Sequence, residues 1–231
     1  MDASIIVALV ALVGAILSAV IAVQGQSRAT TLANRRDAEA VLARYREPLV
    51  GAAYELQGRL YNILVLKFLP KYYVGGDEAQ KHYAVQNTLY VIGQYFGWSE
   101  ILRREIQFLS FSDSKRTRRV ADCQRSVVEF FQSDKEALGR PFLIWRGEQR
   151  AIGELMIDRD ADPPQPIGYA TFLDRDEDDF RRWFARLVGD LNEVAKEPNR
   201  RLVDLQHALV DLIRELDPKR LRYSDEALQK V

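Results

Sequence analysis

Cysteine and histidine are nearly missing from this chain: Cys123, His82 and His207 are all it has in 231 residues. One thiol can close neither an internal disulfide nor a Cys-x-x-Cys redox pair, and two distant imidazoles beside it cannot supply the usual zinc spacings. Net charge is absent as well, with 33 Lys and Arg against 33 Asp and Glu, so no bulk electrostatic field recruits nucleic acid and none is expected as a partner. The glycine signatures that cradle phosphates or raise a nucleophilic serine, G-x-x-x-x-G-K-[ST], G-x-G-x-x-G and G-x-S-x-G, do not occur. These absences predict no cofactor, no metal and no evident catalytic machinery. The chain is also not a disordered one, because 47% of it is hydrophobic and it carries 10 Phe, 10 Tyr and 3 Trp.

What is present begins with an apolar run. Residues 5–23, IIVALVALVGAILSAVIAV, contain no charged side chain. As a helix they reach about 28 Å, roughly the hydrocarbon thickness of a bilayer. A buried globular helix keeps some polar residue away from its core, whereas lipid asks for none on any face. The run therefore predicts a transmembrane helix. A cleaved signal peptide is the competing reading, with Val20 and Ala22 as small residues before a cut, but residues 1–4 hold no Lys or Arg and the apolar run is too long. Asp2 precedes the run and Arg28, Arg35 and Arg36 follow it, which orients the short N-terminus outward and the rest toward the cytoplasm. Gly14, Ser18 and Ala22 form a small-residue stripe at four-residue spacing, a pattern that lets two membrane helices approach closely.

The remainder predicts an all-α fold: a membrane-proximal helical linker over 24–47, a bundle of about five or six helices over 48–218, and a tail over 219–231. Leu42, Tyr45, Leu49, Ala52, Leu56 and Ile63 keep one apolar face across Pro48, with Arg59 the single interruption, and predict one long, kinked helix, closed by Pro70 and Gly75-Gly76. Residues 77–96 read as the next helix, stopping near Gly97, with Ser99 capping a separate one. Asp113 or Ser114 opens another through Val120 and Phe131, and residues 134–141 read as a loop. Phe142 to Trp145 is too short to assign, RGEQRAIGELMI reads as a helix, and 158–168 as a Pro-rich surface loop. Tyr169 to Leu173 reads as a short extended piece, one of one or two expected in the fold. The acidic run 174–179 leads into a helix with Phe180, Phe184, Leu187 and Leu191. After Pro198, Leu202, Leu205, Leu209, Leu212 and Leu216 follow a heptad stripe ended by Asp217-Pro218.

Several constellations could carry chemistry. Lys115, Arg116, Arg118 and Arg119 concentrate cations at a helix start, where the macrodipole prefers acids, and so suggest an anionic ligand or lipid headgroup; the bland alternative is a solvated face paired with the acids at 174–179. Arg146 and Arg150, alternating with Glu148 and Glu154 and flanked by Gly147 and Gly153, offer a second anion site or an exposed, ion-paired helix with a packing glycine. His82 and His207 each have a carboxylate on their own helix face, but the paired Glu-x-x-His pattern of a di-metal bundle is missing. Asn62, Asn87 and Gln94 lie beside apolar positions and would fix helix register if paired. The expectation drawn from all of this is a single-pass, membrane-anchored helical interaction module, a scaffold or signalling component that recruits a protein partner or self-associates. A sensor of an anionic small ligand or headgroup is the alternative, and a hydrolase using Glu148 and Glu154 the third.

Overall fold

The computed structural model describes residues 43–106, 115–175 and 179–231, with single helical positions at 26, 36 and 40; the side chains of 106 and 115–117 lie outside that description. The expected span 5–23, with Gly14, Ser18 and Ala22, and most of the 24–47 linker also fall outside the described residues. Among the described residues no helix is long and apolar enough to cross a membrane.

The fold is an all-helical bundle. Helix α1 (43–64) runs through Pro48 without a break. A proline there removes one backbone hydrogen bond, and the burial of Tyr45, Leu49, Leu56, Leu60 and Ile63 along one stripe offsets that loss. The helix ends at 64, earlier than Pro70, and the chain then turns through Lys67, at φ 52°, into a π-helical turn, Leu69–Val74. Helix α2 (Glu78–Ile106) opens on a reciprocal cap, with the Asp77 N–H donating to Gln80 Oε1 at 3.1 Å and the Gln80 N–H to Asp77 Oδ1 at 2.8 Å. It passes straight through Gly97 and Ser99, where two helices were expected. Gly93 and Gly97 serve packing, not termination: a Cβ on either would come within 3.0–3.1 Å of Met156, and at Gly97 equally close to Pro166.

Helix α3 (Lys115–Gln132) packs on α7 (Arg200–Leu216), and α4 (Arg146–Met156) packs on α2. The piece expected to be extended at Tyr169 to Leu173 is instead α5 (Tyr169–Arg175), because Phe172 turns into the core against Phe180 and Phe184 of the chain leading into and along α6 (Arg181–Lys196). The one extended pairing among the described residues is the bridge Ile157 to Pro166, which folds the Pro-rich loop back so that Ile167 is buried. All five leucines of the α7 stripe are buried, at 0–1% exposure.

Two polar devices hold the connections. Arg201, fully buried, donates from Nη1 to the Phe130 and Phe131 carbonyls and from Nη2 to the Ser133 and Gly139 carbonyls at 2.7 Å each. It thereby closes the carboxyl end of α3, where helix carbonyls have no partner of their own. The unassigned segment after it is a turn with Gly139 and Phe142 in the left-handed region; the Phe142 N–H donates to Asp190 at 2.8 Å and Asn199 Nδ2 to the Pro141 carbonyl at 2.9 Å.

The second device is Asp217, just past the end of α7 and 3% exposed, which accepts from the backbone N–H groups of Leu221 at 3.1 Å and Arg222 at 2.9 Å. Burial works to raise this carboxyl, but the N–H donors of Arg222, Leu221 and Tyr223 and the charge of Arg46 outweigh it and hold it below the usual range. A depressed folded value means stabilisation that is complete above the unfolded carboxyl range and lost as pH falls through the folded value. Asp217→Asn is expected to cost about 1.5–3 kcal/mol at pH 7. The gap to wild type should shrink below about pH 4. Urea titrations at both pH values check this, and a gap that does not change with pH would remove the charge from the explanation.

Candidate functional site

The anion-site residues expected from the sequence do not form one site. The side chains of Lys115 and Arg116 lie outside the described residues. Arg118 and Arg119 are exposed on α3, and Arg119 reaches Glu215 of α7 at 3.4 Å; three residues of the acidic run, 176–178, lie outside the described residues. Arg146 and Arg150 line a different groove, of about 510 Å³, together with Arg103 and Arg125. At its wall Glu100, with a side chain only 2% exposed, accepts from Arg103 at 2.6 and 2.7 Å and from Arg104 at 2.8 Å, with Arg150 at 3.9 Å. Desolvation pushes this carboxyl up, and the Arg103 and Arg104 hydrogen bonds and charges pull it lower still than they find it, to a net value below the ordinary one.

The carboxylates considered for catalysis have structural work. Glu148 accepts the Trp145 N–H at 2.8 Å, capping α4, and pairs with Arg186 at 3.1 Å; Glu154 pairs with Arg104 at 3.5 Å. Gly153 is the packing glycine: a Cβ there would sit 2.7 Å from the Phe96 carbonyl oxygen.

Cys123 and His207 meet in a depression of about 280 Å³ with Asp204 and Asp211. Burial pushes the Cys123 thiol up, and Glu215, Asp211 and Asp122 push it further. A nucleophilic thiol needs the opposite environment. His207 Nε2 lies 2.6 Å from the Val231 carbonyl oxygen, so the imidazole ties the tail to α7. No group of three or more His, Cys, Asp or Glu able to hold a metal occurs among the described residues.

A different place stands out, between α1, α2 and the tail. A groove of about 600 Å³ is lined there by Tyr54, Glu55, Arg59, Tyr61, Asn62, Asn87, Tyr90 and Glu226. That volume lies within the range of small-ligand clefts. Arg59, only 8% exposed, interrupts the apolar stripe of α1. Its Nη2 donates to Asn87 Oδ1 and its guanidinium lies 4.0 Å over the Phe68 ring, while Nη1 is buried with no hydrogen-bond partner. Desolvation lowers the Arg59 pKa, and the nearby Tyr83 partly restores it. Among the described residues no carboxylate pairs with it. Glu55, one turn earlier on the same helix, is exposed at the rim, has no cationic partner among the described residues, and is raised by desolvation against the groove walls.

Sequence reasoning placed Asn62 and Asn87 as register-fixing polar residues and noted Arg59 only as a break in the apolar stripe. The signal that marked the groove was that break: an arginine at a buried position, with half-buried asparagines beside apolar positions of the same and the next helix. Asn87 does find a partner in Arg59, whereas the Gln94 side-chain oxygen is buried with none.

At the turn joining α1 to α2, Val65, Leu66, Val74 and Tyr83 are large apolar side chains at 45–60% exposure. Leu66 and Tyr83 share a depression of about 680 Å³ with Phe68 and Tyr72. The chain matches no protein-family model, no curated protein and no solved structure.

Proposed function

We propose that this protein is a membrane-anchored helical interaction module that displays its bundle at the cytoplasmic face and recruits a protein partner. The observation that carries the reading is the charge-free apolar run 5–23 in a chain whose described residues fold as a helical bundle. The basic residues that follow the run give the orientation. The exposed apolar turn at Val65, Leu66 and Val74 supports the recruiting role. It lies at the far end of α1 from the N-terminal segment, about 33 Å along the helix axis, which favours a protein over the bilayer as its occupant.

The full chain should sediment with membranes and resist extraction by carbonate and high salt, while a chain starting at residue 26 should stay in the supernatant. Recovery of the full chain in the soluble fraction would overturn the anchor. For the partner, a photocrosslinking residue at Leu66 or Val74 should yield one discrete heterologous adduct in cells, lost on Leu66→Asp. An adduct at twice the chain mass would assign the face to self-association instead.

A further inference from the structure

Among the described residues two arginines are buried, in different surroundings. Arg201 spends both terminal nitrogens on four backbone carbonyls, with only its Nε left without a partner, and is a structural clamp. Arg59 has one amide acceptor, the ring faces of Phe68 and Tyr83, no carboxylate partner among the described residues and a buried terminal nitrogen without a hydrogen bond, and the residue lines an open groove. A buried guanidinium without a charge partner is costly, and the cost persists unless something with a negative charge occupies the adjoining space. Packing does not require the charge here, since Leu or Met would fill an α1 stripe position at no such cost.

The other charges in the groove narrow the occupant. Glu55 and Glu226 both line it, and neither is paired with Arg59. A phosphate or dicarboxylate would face two carboxylates for one arginine. A molecule with one negative and one positive end meets both signs. Tyr54, Tyr61 and Tyr90 on the same walls present aromatic surface, which attracts an organic ammonium alongside a carboxylate.

We propose that the groove between α1, α2 and the tail is a binding site for a small zwitterion of the amino-acid class, its carboxylate held by Arg59 and Asn87 and its ammonium by Glu55 among the tyrosines. The opposite signs of Arg59 and Glu55 set the orientation, and the Asn62 amide at the same wall offers a further polar contact.

The test is calorimetric titration of the full-length protein in lipid nanodiscs with the common free L-amino acids and glycine betaine. Acetate, methylammonium and inorganic phosphate serve as single-charge controls. At least one zwitterion should bind saturably and the three controls should not. Arg59→Met should weaken that binding by about tenfold or more, and Glu55→Gln by about threefold or more. The proposal is overturned if no zwitterion binds at millimolar concentration, if phosphate binds as well as the zwitterions, or if both variants bind as wild type does. Should Arg59→Met fail to fold, Glu55→Gln decides alone: Glu55 is exposed, so its substitution leaves the core intact, and unchanged affinity in that variant overturns the assignment.

Discussion

Replacing Arg201 with methionine should destabilise the protein by about 3–5 kcal/mol. Methionine fills much of the volume and removes the charge, so the loss isolates the hydrogen bonds. Four carbonyls, those of Phe130, Phe131, Ser133 and Gly139, would then be left around an apolar side chain. Three of them belong to the end of α3 and its exit, where the helix dipole already concentrates negative potential. Asn199 and Asp190 hold the same turn from α7 and α6, so its loosening should spread to the packing of α3 on α7. Urea unfolding in mild detergent followed by tryptophan fluorescence gives the number. Arg200→Met is the matched control, since Arg200 is largely exposed and its pair with Asp204 at 2.9 Å is a surface ion pair worth at most about 1 kcal/mol. A loss under about 1 kcal/mol for Arg201→Met would mean that the carbonyls find other donors.

Gly153→Ala and Gly147→Ala should have opposite signs although both lie on α4. Helix propensity alone favours alanine over glycine by up to about 1 kcal/mol at either position. At Gly147 nothing lies within 4 Å of the added carbon, so that substitution should be neutral or mildly stabilising. At Gly153 the added carbon would sit 2.7 Å from the Phe96 carbonyl oxygen and 3.0 Å from Glu100 Cβ, and the nearest of these is backbone that cannot rotate away. Helices α2 and α4 must separate, at a cost of about 2–3 kcal/mol. The same shift would disturb Glu100, whose carboxylate anchors Arg103 and Arg104 beside the α4 contact. Thermal unfolding of the two variants checks the pair. Gly153→Ala as stable as wild type would show that the helix contact is looser than its geometry implies.

The amphipathic stripes were readable because helical period and burial coincide in them. The α7 leucines and the α1 face from Tyr45 to Ile63 are buried as their spacing requires. Gly97 was where local reading failed: it has the signature of a residue that ends a helix, yet it lies inside one, opened by a packing contact that no local pattern announces. Gly153, read as a packing glycine within its helix, is one. Tyr169 to Leu173 failed for a related reason: a short aromatic segment takes its conformation from what it packs against, here Phe180 and Phe184.

Charge divided in the same way. Clusters in sequence, such as Lys115 to Arg119 or Arg146 to Arg150, showed where cations were dense but not which acids faced them: Glu215 across from Arg119, and the buried Glu100 beside Arg150. The groove at Arg59 is built from residues 28 positions apart or more, Asn87 and Glu226 among them, and only packing assembles it.

By itself the sequence determined the helical class, the apolar faces and the charge-free run at 5–23, because each depends on residue type and period within one segment. The tertiary structure alone decided which glycines touch backbone, and which buried arginine meets four carbonyls and which a single amide. Those properties depend on the distance between segments far apart in the chain, and a buried charge acquires its energy from neighbours that no local spacing encodes.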